Sequence, residues 1–171
     1  MKKLCSSFIV AVVWVVFGQT AFGAAPDLHS WSDKLGSSRY QVLSQFGGEA
    51  ILDKETGLIF EQSPDTSTFN WHGAQDRCTR LSKGGRLGWR LPAIQELASL
   101  IDPAAGGAPF LPAGHPFSNV QPAFYWSATT SDSFANAWGV LFGAGDLIIS
   151  EKDFIFDHVW CMRGGSGVDP Q

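Results

Sequence analysis

Apolar residues recur at helical spacing in two stretches near the middle of the chain. The first stretch follows Asn70, a residue that commonly caps helices, and its apolar or small positions are 71, 74, 78 and 81. The second stretch follows Pro92, with apolar positions at 94, 97, 98 and 101, and Asp102-Pro103 ends it. The pattern therefore predicts two amphipathic helices.

Short apolar runs on either side of these stretches predict β-strands. Residues 50–53 and 58–60 flank a polar turn that contains Gly57, which is typical of a β-hairpin. After the second helix, strands are predicted at residues 124–129, 135–142, 147–150 and 159–163, with a hairpin turn at 143–146. Helices followed by strands predict an α+β fold, with two helices packed on a twisted antiparallel sheet and long loops.

The N-terminus has the order of features that marks a signal peptide. Lys2 and Lys3 precede an apolar run at residues 8–17, and small residues at 21 and 23–25 place the cleavage site near Gly23 or Ala25. The run is too short for a membrane span, which needs roughly 20 residues. We expect a signal peptide at 1–25, an N-terminal arm at 26–44, one domain at 45–165 and a tail at 166–171. The mature protein is then secreted or periplasmic, with no membrane span.

Charge argues against a nucleic-acid partner. Once Lys2 and Lys3 are removed, 10 of the 12 basic residues remain against 16 acidic ones, a net charge of −6. Only 16% of the residues are charged, below the usual value of roughly 25%. The hydrophobic content of 44% is enough for a folded core.

Two cysteines remain after removal of the segment that contains Cys5. Cys78 and Cys161 lie 83 residues apart, and an even pair in an oxidising compartment predicts a disulfide. Closing such a loop stabilises the fold by roughly 4–5 kcal/mol in the chain-entropy model. The alternative is a pair of buried free thiols.

Six sequence blocks between residues 45 and 165 resemble one bacterial family. In order they read LDKETGLIFE, FNWHGAQDRC, GGRLGWRLPAIQELASLID, FYWSATT, NAWGVLFGAGD and VWCMRGG. They resemble the Lcl C-terminal domain family, named for the Legionella collagen-like protein. The resemblance implies a C-type-lectin-like fold, distantly similar to that of formylglycine-generating enzymes. It also implies extracytoplasmic binding, with glycosaminoglycan or surface adhesion for the name-giving member, and it does not imply one shared ligand.

Enzyme chemistry finds little support in the motifs. The chain has no GxSxG, HExxH or Walker sequence, and a cluster of Asp153, Asp157 and His158 is more simply read as a solvated loop. The sequence therefore predicts no catalytic residue and no cofactor.

Metal binding also lacks a ligand pattern. The four histidines have no metal-ligand spacing, and the calcium triplets of sugar-binding C-type lectins are missing. Asp132, Asn136 and Asp146 supply oxygen donors, but fewer than the six to eight that calcium takes. We predict no metal site.

The first candidate ligand site lies beside the Pro/Gly-rich stretch at residues 103–122. Long loops of this kind usually carry function, and the strands after it bring aromatic and amide groups suited to a sugar or peptide. The predicted ligand-binding residues are Tyr125, Trp126, Asn136 and Trp138.

The alternative site is an acid-free basic segment for an anionic ligand such as a sulfated glycan. Its members are Arg77, Arg80, Lys83, Arg86 and Arg90. The simpler interpretation is that these cations complement the end of the first helix. Structural roles are expected for Arg90 and for Glu96 on the second helix.

These observations predict a binding module outside the cytoplasm that recognises a glycan or a cell-envelope or surface partner. The alternative is a structural protein–protein interaction domain of a surface assembly that binds no sugar. An enzyme of unknown chemistry is the third hypothesis. Nothing in the sequence indicates the oligomeric state.

Overall fold

The computed structural model describes residues 39–164. The predicted signal peptide, residues 26–38 of the arm and the tail at 166–171 lie outside the described residues. The helices are α1 (Trp71–Arg80) and α2 (Ile94–Ala98), with a 3₁₀ turn at Ser44–Phe46. The strands are β1 (Tyr40–Val42), β2 (Ala50–Asp53), β3 (Ile59–Glu61), β4 (Thr68–Phe69), β5 (Phe124–Thr130), β6 (Asn136–Leu141), β7 (Asp146–Glu151), β8 (Asp157–His158) and β9 (Met162–Arg163).

Both predicted helices form where the apolar spacing indicated. Asn70 caps α1, because its side-chain oxygen accepts a 2.9 Å hydrogen bond from the backbone N–H of Gly73. The second helix is shorter than its apolar pattern, since the bonds Leu100 N–H to Leu97 and Ile101 N–H to Ala98 span three residues. Such bonds tighten the last turn into 3₁₀ geometry.

The strands form two sheets rather than the single sheet that was predicted. A four-stranded sheet has the order β1-β2-β3-β9 and is antiparallel. A five-stranded sheet has the order β4-β8-β5-β6-β7, and its β5–β8 pairing is parallel, with Tyr125 opposite His158. The structure is therefore α+β, with two mostly antiparallel sheets. The strand β1 pairs with β2 and lies where residues 40–46 predict a short strand or strand-like lead-in, within the last residues of the predicted arm at 26–44.

The segment at residues 159–163, predicted as one strand, leads from one sheet to the other. The residues just before it, Asp157–His158, form β8 in the five-stranded sheet, and only its last two, Met162–Arg163, are a strand, β9 of the four-stranded sheet. Val159, Trp160 and Cys161 cross between them and are fully buried. The crossing segment is apolar because it runs through the interior, and this composition resembles that of a strand.

The disulfide between Cys78 and Cys161 is confirmed. The S–S distance is 2.06 Å, and the bond joins α1 to the crossing segment just before β9. Both sulfur atoms lie in a core cluster with Trp126, Trp89 and Val159. A second cluster surrounds Trp160, with aromatic neighbours at Phe60, Phe117, Tyr125 and Phe142.

Residues 103–122 pack back onto the domain instead of standing free. Leu111 and Phe117 are buried in the cluster around Trp160. The backbone N–H of Phe110 donates a 3.0 Å hydrogen bond to the carbonyl of Phe142, at the C-terminal end of β6. Part of the predicted ligand loop is therefore core.

Candidate functional site

Tyr125 and Trp126 are fully buried, so their prediction as ligand-contacting residues is wrong. The Tyr125 hydroxyl accepts a 2.8 Å hydrogen bond from the backbone N–H of Gln121, and the Trp126 indole N–H donates at 2.8 Å to the carbonyl of Phe69. Burial raises the pKa of Tyr125 to about 12. Strand β5 lies between both core clusters, and both of its faces are covered there.

Asn136 and Trp138 remain at the surface but lie away from the 103–122 loop. The loop contacts β6 at Phe142, whereas Asn136 begins that strand. A six-residue strand is roughly 17–20 Å long, so the two ends do not form one small-ligand face. Trp138 is 37% exposed and pairs across the sheet with Ile149.

Two members of the basic segment form ion pairs with buried or half-buried carboxylates. Arg77 donates two hydrogen bonds of 3.0 Å to Glu61, whose side chain is 0% exposed. Arg90 donates to both carboxylate oxygens of Glu96 at 2.7 and 2.6 Å, and also to the carbonyl of Gly164 at 3.0 Å. These geometries support the structural roles expected of Arg90 and Glu96.

The other three basic residues also have internal contacts. Arg80 lies 3.4 Å from Asp76, Lys83 lies 3.8 Å from Glu49, and the Arg86 guanidinium stands over the Phe46 ring at 5.0 Å. The open groove beside them, of about 610 Å³, is lined by acids as well as bases. The anionic-ligand alternative thus has only Arg80 and Arg86 as exposed cations within the described segment.

The structure does not assemble the acid/base cluster considered from the sequence. Asp153 lies 3.4 Å from His72 on α1, whereas His158 stacks on the Tyr125 ring at 5.3 Å. Burial lowers the pKa of His158, with Asp65 opposing, and burial raises the pKa of Asp157, with a hydrogen bond from Ser150 opposing.

Across residues 39–164, no three His, Cys, Asp or Glu side chains are grouped to hold a metal ion. The oxygen donors considered from the sequence are separated, since Asn136 begins β6 whereas Asp146 pairs with Leu141 at its end. No helix in that part of the chain is long and apolar enough to cross a membrane.

Strand β7 exposes apolar side chains on both of its faces. Leu147, Ile148 and Ile149 are 46%, 40% and 50% exposed, and together we call them the apolar edge. Consecutive strand residues point to opposite faces, so neither face of β7 is fully covered. Strand β7 ends the five-stranded sheet, and no described strand pairs with its outer side.

Three phenylalanines project near the end of β7. Phe134, in the turn between β5 and β6, is 87% exposed, and Phe154 and Phe156, which follow β7, are 81% and 60% exposed. We call these three residues the aromatic tip. Apolar side chains that are exposed together commonly mark an interaction surface.

Lys152 holds the base of the aromatic tip. Its ammonium group donates hydrogen bonds of 2.9 Å to the Thr130 hydroxyl and to the carbonyl of Phe134, and it stands 4.1 Å from the centre of the Trp71 ring. The residue is only 7% exposed. The β5–β6 turn and the start of the segment after β7 are therefore tied to each other and to α1 at the base of the tip.

Acidic residues lie at both ends of the apolar edge, where Asp146 begins β7 and Glu151 ends it. Between residues 131 and 158 the only basic residue in the sequence is the buried Lys152. The same segment contains five acidic residues, which are Asp132, Asp146, Glu151, Asp153 and Asp157. The surface combines an apolar centre with a negative rim.

A separate cleft of about 820 Å³ lies between α1 and the end of β5. Its volume falls in the range of small-molecule sites. Its lining is largely apolar, with hydroxyl and amide groups from Gln75, Thr79, Thr129 and Thr130 and charged groups from Asp76 and Arg90.

The apolar edge and the aromatic tip were not predicted from the sequence. The available signal was the run LII at 147–149, which lacks the polar alternation of a strand with one solvated face, followed closely by FIF at 154–156. A run without alternation equally fits a strand buried on both faces, so sequence alone could not distinguish the two.

Comparison with protein families matches residues 49–163 to the model of the Lcl C-terminal domain. Comparison with curated proteins finds no match.

Proposed function

From the premise that this chain belongs to the Lcl C-terminal domain family, we propose that it is a non-enzymatic binding module that works outside the cytoplasm. The proposal includes a C-type-lectin-like fold and a secreted or periplasmic location. The Cys78–Cys161 disulfide supports an oxidising compartment.

The partner in this proposal is a protein of the cell envelope or surface. The observation that carries it is the exposure of the apolar edge beside the aromatic tip. Interfaces between proteins are enriched in aromatic residues at their centres and are polar at their rims. The contacts of Lys152 tie the backbone at the base of the tip, which reduces the backbone entropy that is lost when a partner binds.

Site-specific photo-crosslinking tests this proposal. A photoreactive residue is placed at Phe154, in the aromatic tip, and a matched one at Lys54, an exposed position in the turn between β2 and β3. After incubation with envelope extract, we expect a defined crosslinked protein from position 154 and none from position 54. Equal crosslinking at both positions, or none at 154, contradicts a partner at the tip.

A second candidate function is the binding of a saccharide in the cleft between α1 and the end of β5. The mixture of hydroxyl, amide and apolar groups in a volume of about 820 Å³ favours it. On a glycan array, Gln75→Ala should abolish the signal while Phe154→Ser leaves it unchanged. If Phe154→Ser abolishes the signal and Gln75→Ala leaves it unchanged, the saccharide binds at the aromatic tip instead.

A further inference from the structure

The backbone of β7 is open on its outer side. The bond from Lys152 N–H to the carbonyl of Ala135 extends the β6–β7 register by one pair, and hydrogen-bonded pairs alternate along antiparallel strands. Residues 146, 148 and 150 therefore bond to β6. The N–H and C=O groups of Leu147, Ile149 and Glu151 point outward, where no described strand meets them.

This edge lacks the usual protection against strand pairing. The opposite edge strand of the same sheet, β4, has only two residues, and short edges offer little to a pairing strand. Strand β7 has six residues and contains no proline and no lysine. Its side chains at 147–149 are apolar, so an added strand would bury them further.

The charge around the edge indicates what kind of strand it accepts. Asp146 and Glu151 stand at the two ends of β7, exposed Asp132 lies in the β5–β6 turn and exposed Asp153 follows Lys152 after β7, and that lysine is buried. A second copy of this chain would bring the same negative rim against itself, which is unfavourable. A strand with basic residues at its ends is complementary in either direction.

We propose that β7 accepts an extended segment of a partner protein as an additional strand of the five-stranded sheet. The segment has apolar residues at its centre and lysine or arginine on both sides. Main-chain hydrogen bonds to residues 147, 149 and 151 provide the pairing, and the acidic ends of β7 select the basic flanks. This inference rests on the proposed function, since it names the partner chemistry of the same surface.

A labelled peptide tests the pairing. The probe is an eight-residue peptide of alternating valine and threonine with a lysine at each end, and the control has glutamates at the ends. Fluorescence anisotropy should show binding of the lysine form, with the glutamate form at least about tenfold weaker. Equal binding of both forms overturns the charge argument.

Two substitutions at one position separate backbone pairing from side-chain contact. Ile149→Pro removes an outward N–H while the register leaves the bonds to β6 in place, and Ile149→Thr keeps that N–H. We expect about tenfold or greater loss of peptide binding for Ile149→Pro and less than about threefold for Ile149→Thr. Equal losses of peptide binding for the two variants would show that the peptide does not pair with the backbone of β7, which overturns the proposal.

Amide hydrogen exchange provides a readout that does not depend on a variant. In the unaltered protein, the peptide should slow exchange at Leu147 and Ile149 and leave the already bonded amide of Ile148 nearly unchanged. Unchanged exchange at residues 147 and 149 overturns the proposal. A concentration-dependent dimer that Ile149→Pro dissociates also overturns it, because β7 then pairs with a second copy of the chain. If crosslinking from position 154 persists while these tests fail, the binding module stands and strand addition does not.

Discussion

The carboxylate of Glu61 binds the guanidinium of Arg77 through two hydrogen bonds of 3.0 Å, directly beside the disulfide. The same carboxylate accepts a 2.9 Å bond from the backbone N–H of Cys161. One buried acid thus connects β3, α1 and the crossing segment, and the cation that neutralises it comes from the segment first considered for ligand binding.

Arg77→Ala should strongly destabilise the domain, because it leaves the Glu61 carboxylate buried without its main cation. Removing one partner of a buried pair typically costs about 3–5 kcal/mol. The control is Arg80→Ala, since the side chains of Arg80 and Asp76 are 81% and 70% exposed and such pairs contribute about 0–1 kcal/mol. Urea unfolding of both variants measures the difference, and similar losses would contradict the assignment of Arg77 to the core.

The disulfide should be complete in the mature protein and should contribute substantially to its resistance to unfolding. Mass spectrometry without reduction should find no thiol available for alkylation. The double variant Cys78→Ala/Cys161→Ala should lose about 2–5 kcal/mol of unfolding free energy. Labelling of either cysteine in the native protein would refute a constitutive bond.

The ion pair of Arg90 and Glu96 predicts a specific pH dependence of stability. Burial raises the pKa of Glu96, but hydrogen bonds from Arg90 and from the N–H of Ala93 outweigh it, and the pKa is lowered from 4.5. A lowered pKa stabilises the folded state above the unfolded-state pKa, and this contribution is lost as pH falls through the folded-state value. The stability advantage of the unaltered protein over Glu96→Gln should therefore be full near neutral pH and should shrink below about pH 4.5.

Chemical denaturation at a series of pH values measures that advantage. If the difference in stability between the unaltered protein and Glu96→Gln stays constant from neutral to acidic pH, the pair does not stabilise the charged form of Glu96.

Arg90→Ala should lower the melting temperature clearly and leave the affinity for the partner, measured below that temperature, nearly unchanged.

Substitutions in the aromatic tip and in Lys152, which supports it, should differ in their effect on the unfolding free energy. Phe154→Ser should change the unfolding free energy by no more than about 0.5 kcal/mol, because the side chain is 81% exposed. Lys152→Met should cost about 1–3 kcal/mol, since the Phe134 carbonyl and the Thr130 hydroxyl lose their donor. Thermal unfolding checks both values. A large loss for Phe154→Ser would mean that the tip is packed.

Local chemistry explains what the sequence predicted well. The cap at Asn70, the hairpin around Gly57 and the pairing of two cysteines each depend on a few neighbouring residues or on a simple count. The apolar phase that placed Cys78 on the buried face of α1 is also local. These signals do not require knowledge of how the sheets are arranged.

The arrangement of the two sheets decided what the sequence could not predict. Tyr125 and Trp126 are buried because separate core clusters cover opposite faces of β5, whereas Leu147 and Ile148 remain exposed because β7 ends the sheet. A run of apolar residues without alternation has the same composition in a strand that is buried on both faces, such as β5, and in an exposed edge strand, such as β7. The same ambiguity concealed the division of residues 157–163 between the sheets, because no turn residue marks the crossing.

The disulfide also determines which part of the domain carries mechanical load. A pull on residues 39 and 164 passes along the chain to Cys78, across the S–S bond to Cys161, and on through β9. Residues 79–160 form a covalent loop outside this path, and the loop contains α2 and strands β5 to β8, with the apolar edge and the aromatic tip. A tether at either end of the domain can therefore transmit tension without stretching the backbone of the surface that we propose for partner binding.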